Sequence, residues 1–227
     1  MSTYGTLYTQ IKSTIGNRDD TDTDAIILAY FNHAQRALAR VHRWRELEAK
    51  ITPNLVAGTQ DYSFTTLGFT RYQKLYSAVL METTRGRPLG YITPDQWDRD
   101  VTPYILTASQ GKPDIYTIWS SSFSFFRIPD DDYQVILRYY QYPTPAVDIS
   151  TTLTFEDADD LLIFLTIAFV WMALEELEQA SVWGKRAGEL FKSYDIEFTN
   201  VLNFKSIPAT KMGIPDYWLD PFVKSMP

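Results

Sequence analysis

The two histidines, His33 and His42, lie nine residues apart in a stretch with helical spacing. At 3.6 residues per turn that sets them half a turn out of phase and roughly 13 Å apart along the axis, so they cannot share a metal. Surface or capping positions explain them better than catalysis. Asp20, Asp22 and Asp24 imitate the opening of a calcium loop, which then needs glycine at its sixth position and glutamate at its twelfth. Ala25 and Phe31 stand there instead, and the carboxylates are expected to cap the helix that follows. Asp130, Asp131 and Asp132 read as the tip of a turn. A glycine-rich loop ending in Gly-Lys-Ser/Thr is missing, as is a serine in a glycine elbow. With no cysteine there is no thiolate nucleophile, thiolate metal site or disulfide. These residues give no positive sign of chemistry, and neither an enzyme nor a cofactor is expected.

Arg36, Arg40 and Arg43 recur at i, i+4 and i+7, on one face of the same helical stretch. Two readings are open. The stripe could face DNA or an acidic partner surface, or it could be a solvated face completed by ion pairs with Glu46 or Glu48, each worth little.

The elements that must carry these residues follow from periodicity. Leu7, Ile11 and Ile15 give a short helix over Tyr4 to Ile15. Ile27, Phe31, Ala34, Leu38 and Val41 give a strong one over Asp24 to Trp44. Glu156 to Phe204 predicts two more, broken near Ala180 and Ser181. The second has Trp183, Ala187, Leu190, Tyr194, Phe198 and Val201 on one stripe, and Gly184 and Gly188 where another helix could approach closely. The apolar run from Leu161 to Leu174 contains Thr166 and falls short of the roughly 20 residues that span a bilayer. No membrane association is expected, and the first residues lack a signal-peptide pattern.

Between the helical regions, short runs of β-branched and aromatic residues are punctuated by Pro, Gly and Thr. Strands are expected at Tyr72 to Met81, Ile115 to Trp119, Ser122 to Ile128 and Tyr133 to Tyr140. The last two are expected to form a hairpin through Pro129-Asp130-Asp131-Asp132. Tyr133, Val135, Leu137 and Tyr139 share the buried parity of the final strand, while Gln134 and Arg138 face outward. A short helix should start at Thr93, with Pro94 in its first position.

Segregation of helices and strands predicts an α+β fold. The expected divisions are 1–48, N-terminal helices of a helical bundle; 49–150, an inserted antiparallel β-rich domain; 151–204, C-terminal helices of the same bundle; and 205–227, an extended C-terminal arm. Four prolines and a glycine keep the arm from forming a long helix or a central strand. Its Ile207, Met212, Ile214, Tyr217, Trp218, Leu219, Phe222 and Val223 gain free energy only when buried. Such a segment is expected to lie in a groove, which points to an assembly component. The chain has 227 residues, 45% hydrophobic and 15% aromatic, and a net charge of −7. That sign argues against a protein whose main task is gripping phosphates.

The order of these pieces resembles the head-to-tail adaptor proteins of short-tailed bacteriophages, the tail tubular A-like group. The resemblance rests on FNHAQRALARVHRW leading into EAKITPNLVAGTQDYSF, then on RPLGYITPDQWDRD, GKPDIYTIW and FRIPDDDYQVILRYYQYP, and last on FLTIAFVWMALEELEQASVWGKRAGELFKSY. It implies a structural virion protein at the head–tail neck, made in the host cytoplasm. It implies a ring, commonly of twelve sister subunits, joining the portal protein at the capsid vertex to the tail nozzle protein, with DNA at most incidental in the channel. Carried over, Ile214, Tyr217, Trp218, Leu219 and Phe222 would be portal-facing anchors. The competing reading is a glycan- or nucleic-acid-binding module. It would use the Arg36, Arg40 and Arg43 stripe or the aromatic strands, with Trp97 and Trp119 as reporters of glycan.

Overall fold

Helices α1 (Tyr4–Thr14) and α2 (Thr21–Val41) turn the first two apolar stripes inward. Leu7, Ile11 and Ile15 are buried, as are Ile27, Phe31, Ala34 and Leu38. The computed structural model describes residues 2–17, 21–82, 85–103, 110–155 and 157–202. Val41, expected to continue the stripe, is 64% exposed. The reason is that α2 stops there, before the Trp44 end expected from the pattern. The chain then turns so that Trp44 folds beneath the helix, donating its indole N–H to the Leu38 carbonyl at 3.0 Å. Its ring meets Phe155 edge-on at 5.1 Å.

Helix α5 (Asp159–Ala173) is apolar on every side beyond its opening aspartates, as suits a helix that is covered over most of its surface, though Met172 is exposed. It packs against α1, α2 and α6 (Leu177–Leu202). Buried Thr166 is tolerated because its hydroxyl donates to the Leu162 carbonyl one turn back, at 2.7 Å. The break between α5 and α6 falls at residues 174–176, not at Ala180 and Ser181, which lie inside α6. Glu175 adopts the left-handed region at φ +63°. The Glu175 N–H bonds to the Met172 carbonyl at 3.2 Å and the Glu176 N–H to the Trp171 carbonyl at 3.0 Å. This paired arrangement is a Schellman ending whose left-handed position usually holds glycine. Relieving the strain by Glu175→Gly should stabilise the fold by about 0.5–1 kcal/mol, measured as a higher urea midpoint.

The strands form two sheets. In the first, β1 (Glu48–Ile51), β9 (Tyr133–Gln141), β4 (Tyr72–Met81) and β5 (Gly86–Pro88) lie in that order, and β2 (Asn54–Leu55) also pairs with β9. The second runs β3 (Asp61–Ser63), β8 (Ser122–Phe126), β7 (Ile115–Trp119), β6 (Gly90–Tyr91). All pairs are antiparallel except β6 with β7. That parallel pair follows a crossover through α4 (Pro94–Asp100). A capping box opens α4: Thr93 Oγ1 accepts from the Gln96 N–H, and Gln96 Oε1 accepts from the Thr93 N–H. A one-turn helix, α3 (Phe64–Leu67), follows β3.

The expected hairpin between β8 and β9 does not form, because the two strands belong to different sheets. Phe123 and Phe125 on one, and Val135 and Leu137 on the other, bury themselves in one core by facing across it rather than by pairing side by side. The acidic link between them holds the crossing in place. The Ala57 N–H donates to Asp132 Oδ1 at 3.0 Å and the Gly58 N–H to the Pro129 carbonyl at 2.8 Å.

Two buried clusters result. One gathers the helices with Trp44, Leu47, Ala146, Leu153 and Phe155, and the other fills the space between the sheets. Gln73 of β4 joins the two regions by donating to the Ala39 carbonyl in the last turn of α2, at 2.9 Å. Asn32 holds the returning chain. Its amide donates to the Ala146 carbonyl at 2.9 Å and accepts from the Ala146 N–H at 2.7 Å. Asn32→Ala strands both backbone groups of a buried residue and should cost about 2–3 kcal/mol in a thermal melt.

Candidate interaction surfaces

Arg36, Arg40 and Arg43 are all exposed, but only Arg36 and Arg40 lie on α2; Arg43, expected on the same helical face, follows the helix end at Val41. The Arg40 guanidinium sits 5.9 Å from the centre of the Tyr142 ring. Arg43 acts electrostatically on the phenol of Tyr140, whose pKa is raised by burial and by Glu48 and pulled back down by Arg43. Among the described residues, none of the three arginines lies within ion-pair distance of a carboxylate. The pairs with Glu46 or Glu48 that a self-neutralised face would contain are not made.

The stripe borders the open face of the first sheet. Lys50 on β1 stands directly opposite Arg138 on β9, and Lys74 on β4 stands opposite Tyr140. Directly paired residues share a face, so these three cations, all exposed, point the same way. Tyr76 lies beside them, 61% exposed and 6.2 Å edge-on from Tyr140. Glu48 is a carboxylate on this face, 3.4 Å from the Tyr140 hydroxyl. Arg138 was legible from strand parity, but its convergence with Lys50 and Lys74 depends on strand pairing that local patterns do not encode.

Helix α6 exposes a second surface. Gly184 and Gly188 face open space, with no described atom within 4 Å of where a Cβ would stand. Arg186 covers the Trp183 ring at 4.6 Å, and Leu177 and Val182 are exposed on the same helix. A third prominence is Trp119, 70% exposed at the end of β7. Trp97, expected as a possible glycan reporter, is instead buried, with its ring 6.5 Å edge-on from Phe126. Its alignment with the apolar side of α4 explains the difference.

The carboxylates have structural work. Asp24 accepts from the Tyr8 hydroxyl at 2.5 Å and pairs with Lys12 at 3.2 Å, tying α1 to α2. Asp22 lies in the first turn of α2, and Asp20 is outside the described residues. Asp130 accepts from the Tyr133 hydroxyl at 2.7 Å, which helps push that phenol up to about 12. Glu82 gathers Arg85, Arg87 and Lys112; burial works to raise its pKa, but these cations outweigh it and hold the carboxyl low. Arg87 also pairs with Asp114, bridging the ends of the two sheets. The histidines serve as packing rings, His33 against Phe169 at 4.9 Å and His42 against Trp44 at 5.1 Å. Among the described residues no cluster of three or more His, Cys, Asp or Glu could hold a metal ion. No described helix is long and apolar enough to cross a membrane. The arm residues Ile214, Tyr217, Trp218, Leu219 and Phe222 lie outside the described residues.

What these residues leave is a set of open faces on an α+β scaffold. The chain belongs to the SU10 adaptor protein family, whose sequence model matches residues 2–200. Membership in an adaptor family implies a non-enzymatic, virion-associated role consistent with a phage head–tail adaptor. No curated protein matches the sequence.

Proposed function

We propose that this chain is the subunit of an adaptor ring, twelve copies in number, that joins the portal protein at the capsid vertex to the tail nozzle protein of a short-tailed phage. The observation that carries this reading is the adaptor-family match across residues 2–200. The open faces support it. The small-residue notch at Gly184 and Gly188, with exposed Leu177 on the same side of α6, suits close lateral approach of a sister subunit. The arm at 205–227, with Ile214, Tyr217, Trp218, Leu219 and Phe222 as anchors, is the portal-binding element. Many identical weak contacts around a ring add up because each one formed raises the effective concentration of the next.

Electron microscopy of the full chain mixed with its portal tests the proposal. An added ring of density on the portal, with rotational symmetry matching it, is the expected result. A portal unchanged in the presence of excess folded chain sinks it.

A further inference from the structure

The cations of this acidic chain are not evenly spread. Lys50 and Arg138 are placed directly across from each other, an arrangement that works against the sheet's own stability. Neither they nor Lys74 have a carboxylate within ion-pair distance among the described residues. Arg40 rests on Tyr142, and Tyr142, Tyr140 and Arg138 follow one another on the same parity of β9 and its extension. The arginine stripe of α2 therefore continues onto the open sheet as one surface. From Arg36 to Arg40 it covers roughly 6 Å along the helix, and Arg43 follows just past the helix end. From Tyr140 to Arg138 it covers roughly 7 Å more along the strand.

We propose that this surface, formed by Arg36, Arg40, Arg43, Lys50, Lys74 and Arg138, binds the phosphate backbone of duplex DNA. Its composition favours that occupant over a protein. Protein interfaces are depleted in lysine and in charge at their centre. Here lysine and arginine outnumber the one described carboxylate on the face, Glu48, and Tyr76 is the strongly exposed aromatic among them. Duplex DNA offers one negative charge per roughly 1.7 Å of axis, so a surface of this kind meets several phosphates at once. Lysines and arginines on an open face grip phosphates and read no bases, which makes the contact independent of sequence. The net charge of −7 does not oppose this, because the acidic remainder repels DNA and leaves this face as the route of approach. Tyr76 supplies a hydroxyl that can donate to a phosphate oxygen beside the cations. The proposal needs neither ring nor portal, so its failure and that of the adaptor reading are separate events.

The test is fluorescence anisotropy of the full chain with a labelled 20-base-pair duplex, titrated between about 50 and 200 mM salt. Six phosphate contacts predict a log–log salt slope near −5, with no preference between two unrelated duplex sequences. The triple variant Lys50→Glu/Lys74→Glu/Arg138→Glu should lose more than tenfold in affinity at the low-salt end and flatten the slope by about 3. A matched triple on α6, Lys185→Glu/Arg186→Glu/Lys192→Glu, changes the net charge equally and should lose less than threefold. Thermal melts check that both triples fold, and glutamine at the three sheet positions replaces glutamate if the first does not. Absence of binding at low salt, or equal loss in the two triples, overturns the proposal. So does salt-sensitive self-association that the sheet triple abolishes without any duplex binding, since the face would then belong to a second copy of the chain.

Discussion

A chain ending at Phe204 is expected to fold like the full protein and to lose more than a hundredfold in affinity for the portal. Among the described residues, every buried member of the two cores lies before that point, the last being Ala187. Far-UV circular dichroism and the melting temperature should therefore change little. What truncation removes is the set of proposed anchors, Ile214, Tyr217, Trp218, Leu219 and Phe222. Buried aromatic anchors dominate binding energies, commonly at 2 kcal/mol or more each. A hundredfold is about 2.7 kcal/mol, so the loss of one or two such anchors already reaches it. Substituting Trp218→Ala alone should account for a tenfold share. Portal capture that survives truncation would remove the arm from the proposal while leaving the family assignment in place.

Phe31→Ala should be the most damaging single substitution in the bundle. Phe31 is fully buried, its ring 4.8 Å from that of Tyr4 on α1. Phenylalanine-to-alanine changes in such sites cost about 3–5 kcal/mol, a large part of the roughly 5–15 kcal/mol that holds a domain together. At about 2–4 °C per kcal/mol for a chain of this size, the melting temperature should fall by roughly 10 °C. Val41→Ala is the internal control. It belongs to the same helical stripe but is 64% exposed, and should change stability by less than about 0.5 kcal/mol. A Phe31→Ala melt within 3 °C of wild type would mean the helical core contributes far less than its burial indicates.

The contrast between those two positions shows what periodicity encodes. The spacing of Ile27, Phe31, Ala34 and Leu38 specifies a face, and burial follows wherever the helix continues. Periodicity says nothing about where the helix stops, and Val41 falls beyond the point where Trp44 takes over the cover. The α5–α6 break is obscured for a different reason. Glu175 and Glu176 are good helix formers, and the left-handed turn is imposed by tertiary placement against that preference. Strand parity on β9 was legible because alternation is local. The partition of β8 and β9 between two sheets was not, since Pro129 and three aspartates make an equally good corner for a crossing. The same limit applies to the surface sites. Arg36 and Arg40 could be grouped from spacing on one helix, while Arg43, expected on the same helix, falls just past its end; Lys50, Lys74 and Arg138 meet only through the register of three strands.

The position of α5 in the chain sets a schedule for biosynthesis. It is the helix on which α1, α2 and α6 all lean, yet it begins about 120 residues after α2 ends. At roughly 5–20 residues per second, α1 and α2 emerge from the ribosome about 6–24 seconds before the surface that will cover them. The sheet core, from β1 to β9, is completed in that interval and can close first. A nascent chain thus carries its N-terminal apolar stripes uncovered until almost three quarters of its length has been made. Chaperone occupancy should be highest in that window, and joining of the bundle is the event that ends it.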